Sequence, residues 1–143
     1  MIYHRLIRIE FNHCDPAGIV FYPRYFEMLN STVENFFRDE MGYPFEMMMG
    51  QAEGVPTART EVTFHAPSRL GEVLDWQLSV VRLGRASVGL TAQVQCGDSH
   101  RLSADLTLVF VRDLRPQPWP DTIRSRLAAA VWPNSQETPH EQP

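Results

Sequence analysis

Lysine is absent, and all 13 basic residues are arginine. The chain therefore has no lysine Schiff base, no lysine-linked pyridoxal phosphate and no phosphate-loop lysine. Cysteine is scarce. Cys14 and Cys96 are too few for a disulfide framework, and no basic leader with an apolar stretch precedes Ile7, so a reducing cytoplasm is the expected location. No apolar run approaches the roughly 20 residues of a membrane-crossing helix, so no membrane partner is expected. Excess positive charge is missing too: net charge is −4 and the pI 5.7. No nucleic acid partner is expected, and any anionic ligand must be met by a local cluster.

What is present fits one domain. A chain of 143 residues with 43% hydrophobic content can bury a single core. We place that domain at residues 1–132, followed by a polar, Pro-rich tail at 133–143 that should fray.

Tyr3 to Phe11 alternates and reads as a strand ending before the Asp15-Pro16-Ala17-Gly18 turn. From Pro23, apolar residues at Phe26, Leu29, Val33, Phe36 and Phe37 follow helical spacing up to a stop at Gly42, which predicts a helix of about five turns. Met47 to Met49 reads as a loop with a buried methionine, the alternative being the flank of a pocket. Four strands follow: Thr57 to Ala66, Val73 to Leu83, Ser87 to Cys96 and Arg101 to Arg112, with turns at Gly71, Gly84 and Gly97. Read as a meander, they give an α+β fold with one long helix wrapped by a five-strand antiparallel sheet. Trp76, Val109 and Val111 read as pointing away from the helix, and such an apolar open face asks for a partner subunit, making a homo-oligomer the expected state. Asp121 to Val131 reads as a short terminal helix.

His13-Cys14-Asp15 groups three chemically capable residues. Consecutive residues of an extended segment project to different sides, so they cannot converge on one ion, and His4, His65, His100 and His140 show no ligand spacing; no metal is expected. The same divergence leaves His13 badly placed to activate Cys14, which reads as a small buried hydrophobe. Asp15 has two readings. Asp before Pro starts a turn and accepts backbone N–H bonds there. Yet the loop after it leads to a helix start at Tyr22-Pro23, where unpaired amides of Tyr22, Arg24 and Tyr25 could hold a carbonyl oxygen while a carboxylate attacks or activates water. Such a pair suits a thioester, whose thiolate leaving group needs little general-acid help, better than an amide or oxygen ester.

The run His13 to Tyr25, His-Cys-Asp-Pro-Ala-Gly-Ile-Val-Phe-Tyr-Pro-Arg-Tyr, resembles the signature of hotdog-fold acyl-CoA thioesterases of the 4-hydroxybenzoyl-CoA thioesterase type found in Pseudomonas. The similarity continues through Val55-Pro56, Phe64 to Pro67, Gly84 to Ser87 and Ala104-Asp105. The resemblance implies a hotdog fold assembled as dimers or tetramers, with active sites between subunits and no cofactor, coenzyme A being part of the substrate. It implies that Asp15 is the catalytic nucleophile or general base and that the Tyr22 backbone amide polarises the thioester carbonyl. It further puts His13, Gly18 and Pro23 beside the substrate, and the nucleotide end of CoA against Arg82, Arg85 and Ser87. Tyr22 stands where many relatives acting on short aliphatic thioesters have His, which favours an aromatic acyl group such as benzoyl or hydroxybenzoyl. His13 replaces the acidic residue of the aromatic-CoA enzymes. A short aliphatic or naphthoyl-type acyl group, and a non-catalytic acyl-CoA-binding module, are the alternatives.

Overall fold

A computed structural model describes residues 1–132; the tail read at 133–143 lies outside the described residues. The helical spacing from Pro23 produces α1, Pro23–Asp39, with proline in its first turn and Gly42 at φ +63° after its end. Its inner face buries Tyr25, Met28, Leu29, Thr32, Val33, Phe36 and Phe37, each apolar one worth about 1.5–3 kcal/mol of burial. Around it run β1 (Tyr3–Arg8), β3 (Thr57–Phe64), β4 (Val73–Leu83), β5 (Ser87–Cys96) and β6 (Ser99–Val109). The Met-rich stretch is a short helix, α2 (Phe45–Met49), with Met48 buried and Met49 exposed. A small second sheet joins β2 (Glu53–Gly54), β7 (Val111–Arg112) and β8 (Arg115–Pro116), and α3 (Asp121–Ala130) closes the described chain.

The main sheet is antiparallel in the order β1-β4-β5-β6-β3, with the core between it and α1. Two expectations change. The four strands are not a meander: only β4, β5 and β6 are successive hairpins, and β3 pairs with β6 at the far edge, because the connection 65–72 runs across the end of the sheet instead of turning tightly. And Trp76 does not face outward. It shares parity with Leu74, Leu78 and Val80, is fully buried, and lies across from Val94 in the core, while Val111 is buried in β7.

The outward face is polar, with Gln77, Gln93, Ser103 and Thr63 in one cross-strand row. The unsatisfied feature is instead an edge. Every residue of β3 except half-buried Val62 is exposed, leaving a full row of unpaired backbone groups. At the opposite edge β1 covers β4 only as far as Leu78, and beyond it Trp132 N–H donates to Val80 O at 2.6 Å.

Candidate active site

The first strand stops at Arg8, short of the expected Phe11, because Phe11–His13 forms a 3-10 turn. Within it His13 Nδ1 accepts the Glu10 N–H at 2.8 Å, a local closure that occupies the ring nitrogen. His13 also borders a shallow groove with Arg5, Arg8 and Glu27. Cys14 is half-buried, its Sγ 3.6 Å from Glu10 O, and packs against the core.

The next segment folds back on itself. Phe21 N–H donates to His13 O (2.9 Å), Cys14 pairs with Val20, and Asp15 N–H donates to Ile19 O (3.0 Å). Gly18, at φ +82°, makes the reversal, and its N–H donates to Asp15 O at 2.9 Å. This ladder carries Asp15 and the helix start on adjoining arms of one hairpin.

Both readings of Asp15 have a physical footing. Oδ1 accepts the Ala17 N–H at 2.8 Å, the turn role; Oδ2 makes no hydrogen bond among the described residues. At the helix start the choice of donor narrows. Arg24 N–H is taken by Phe21 O (2.8 Å) and Tyr25 N–H by Tyr22 O (3.0 Å), and Pro23 has none. Among the described residues the Tyr22 N–H meets no acceptor, so of the three amides considered it is the one left to bind an oxygen. The Tyr22 ring, 60% exposed, stands edge-on to Phe64 at 6.2 Å.

One turn beyond Tyr22, Phe26 forms a wall of a cavity of about 440 Å³ between α1, α2, β3 and β6, with Val33, Phe45, Met48, Thr60 and Leu108. Sequence periodicity assigned Phe26 and Val33 to the core; Val33 is buried there, whereas Phe26 is 41% exposed because its side of α1 faces this cavity. Glu53 also borders this space, its side chain 2% exposed and bound by Tyr43 OH and by Arg112 Nε at 3.0 Å.

Arg82, Arg85 and Ser87 lie elsewhere. They sit at the β4–β5 hairpin, whereas the Asp15 loop pairs with Ser68 and Arg69 just before β4 begins. The 11 residues of β4 separate the two by roughly 30 Å, so one protomer does not bring them together. Arg82 lies flat over Gly89 and donates to Thr107 Oγ1 at 3.2 Å. Among the described residues no three His, Cys, Asp or Glu side chains are grouped to hold a metal ion, and no helix is long and apolar enough to cross a membrane.

Below the loop, Arg101 and Glu72 form a forked pair at 2.7 and 3.1 Å. The guanidinium, helped by the Arg69 N–H, holds the Glu72 carboxyl down at about 2 against an ordinary 4.5. A depressed folded-state pKa stabilises above the ordinary value and is lost as pH falls through it. Glu72→Gln is therefore expected to lower stability at neutral pH, with the gap to wild type closing between pH 4.5 and about 2 in urea melts.

A comparison with curated protein sequences gave no match. Among solved structures the chain is similar to a gentisyl-coenzyme A thioesterase (24% identity, 89% of this chain and 99% of that one covered, TM-score 0.80). It is also similar to a probable thioesterase from Bartonella henselae (18% identity, 84% and 100% covered, TM-score 0.79). A third is a 1,4-dihydroxy-2-naphthoyl-CoA thioesterase from Synechocystis (14% identity, 89% and 96% covered, TM-score 0.79). At these identities the likeness is one of fold, the hotdog arrangement of a helix wrapped by an antiparallel sheet. The model of the thioesterase-like superfamily matches residues 9–127, a span that holds the Asp15 hairpin, α1 and all of the main sheet but β1, and the chain belongs to that superfamily.

Proposed function

We propose that this protein hydrolyses acyl-CoA thioesters. Asp15 acts as nucleophile or general base, and the Tyr22 N–H receives the developing oxyanion as the CoA thiolate departs. The observation that carries this reading is the pairing of an unpartnered Tyr22 amide, at the positive end of a 17-residue helix, with a carboxylate whose Oδ2 is free, both on one hairpin. His13, Gly18 and Pro23 shape that hairpin and lie at the substrate's edge.

The acyl group we assign is aromatic. A cavity that takes one benzene has a volume of roughly 150 Å³, well below the 440 Å³ beside Phe26, so a bicyclic, naphthoyl-sized acyl group fits as well as a benzoyl one. Arg82, Arg85 and Ser87 take the CoA nucleotide, and because they stand a strand's length from Asp15 they serve the active site of another copy of the chain. The exposed β3 edge supports such a homo-oligomer.

The test is thiol release from benzoyl-, hydroxybenzoyl-, phenylacetyl-, naphthoyl- and short aliphatic CoA esters. Turnover of an aryl ester ahead of the aliphatic ones is expected; binding without thiol release across the panel overturns the enzyme reading in favour of an acyl-CoA-binding module. A further prediction isolates the nucleotide contact. A Cβ at Gly89 would lie 2.7–2.8 Å from the Arg82 guanidinium, the movable end of a flexible side chain, so Gly89→Ala displaces Arg82 without straining the strand. KM for the CoA ester should rise about fivefold at unchanged kcat, while an acyl-N-acetylcysteamine thioester, which lacks the phosphates, shows no change.

A further inference from the structure

Strand β6 carries an extra residue near its start. Val94 faces Leu102 and Gln95 faces His100, so β5 advances by one while β6 advances by two, and Arg101 is the residue added in a β-bulge. Bulges bend a strand and re-aim a side chain that strict alternation would send elsewhere. Arg101 is 9% exposed, while Asp105, four residues on in the same strand, is exposed.

A buried guanidinium is costly unless its donors are met. Here Nη1 donates to Pro67 O (3.1 Å), Ser68 Oγ (3.0 Å) and Glu72 Oε1 (2.7 Å), Nη2 to Glu72 Oε2 (3.1 Å), and Nε to Ser99 Oγ (2.9 Å). Glu72 Oε1 also accepts the Arg69 N–H at 2.8 Å, so one ion pair sets the shape of the whole 67–72 turn.

That turn is what the Asp15 hairpin hangs from. Val20 N–H donates to Ser68 O (2.9 Å), Ile19 pairs with Arg69, and Ile19 O accepts the Asp15 N–H (3.0 Å). On its other flank the turn holds the chain before the hairpin: Ile9 N–H donates to Glu72 O and Gly71 N–H to Ile9 O, both at 2.8 Å. The path from Arg101 to Asp15 is short and made of hydrogen bonds throughout.

We propose that Arg101, turned inward by the bulge and forked onto Glu72, is the positioning residue of the site: it fixes the turn that holds the Asp15–Tyr22 hairpin, and it touches no substrate. The proposal rests on the Asp15 assignment above. A shift of the order of 1 Å in such a hairpin costs about 100-fold in rate even when binding is spared.

Arg101→Lys tests it, because lysine keeps the charge and most of the volume but loses the planar fork. With the best ester of the panel as substrate, kcat should fall by about 10- to 100-fold with KM altered less than about threefold. Amide hydrogen exchange at Asp15 and Val20 should quicken while the amides of β5 keep their protection. If Arg101→Lys fails to fold, Ser68→Ala removes a single acceptor and should move the same two amides and kcat in the same direction. Wild-type kcat alongside quickened exchange overturns the positioning role, and unaltered exchange at Asp15 and Val20 overturns the anchoring itself. Exchange is read without substrate, so it separates these outcomes from a failure of the Asp15 assignment, which Asp15→Asn tests on its own.

Discussion

Asp15→Asn is expected to lower thioester hydrolysis by about 10²–10⁴-fold, the usual worth of a group that transfers a proton or attacks in the transition state. The substitution is chosen for what it keeps. Asn retains an Oδ1 that can accept the Ala17 N–H, so the turn survives, and only the charge at the free Oδ2 is lost. Thiol release and circular dichroism on the same sample check it: loss of turnover with an unchanged spectrum is the expected result. Undiminished turnover would reduce Asp15 to a turn residue and sink the assignment. Asp15→Ala would remove both roles at once and decide less.

Trp76→Ala should cost about 3–5 kcal/mol, a large share of the roughly 5–15 kcal/mol that holds a domain of this size. The ring is fully buried between β1 and β5 on the helix side of β4, where Arg5 and Val94 are its cross-strand partners. Its Nε1 has no hydrogen-bond partner among the described residues. That orphan separates two effects. Trp76→Phe removes ring volume but also the unmet donor, whose burial costs about 1–3 kcal/mol, so it should lose much less than the Ala variant. Urea melts of both variants check the pair; a Trp76→Phe loss as large as that of Trp76→Ala overturns the expectation.

Local patterns were legible and long-range ones were not. The helix from Pro23 and the limits of β4 and β5 follow from spacing and glycine turns, because those signals lie within each segment. Strand order does not. Nothing within Thr57–Phe64 tells whether it pairs with β4 or with β6, and only the run of the 65–72 connection decides. The inward aim of Trp76, by contrast, is carried by β4 itself, where it alternates in step with Leu74, Leu78 and Val80. The candidate site divides the same way. Asp15, Gly18 and Tyr22 stand within one hairpin and could be read together, whereas Arg101 reaches it through a bulge that no residue type announces. The two-residue strands β2, β7 and β8 are too short to carry a period at all.

The hairpin 13–22 and the cavity wall from Phe45 to Thr57 occupy separate stretches of chain, with α1 between them. Under the function proposed above, bond cleavage and a large part of the acyl choice are inherited on different pieces of sequence. Variation in one need not disturb the other: under that proposal the 45–57 stretch can be exchanged to admit a new acyl group while the hairpin that carries Asp15 and Tyr22 stays as it is.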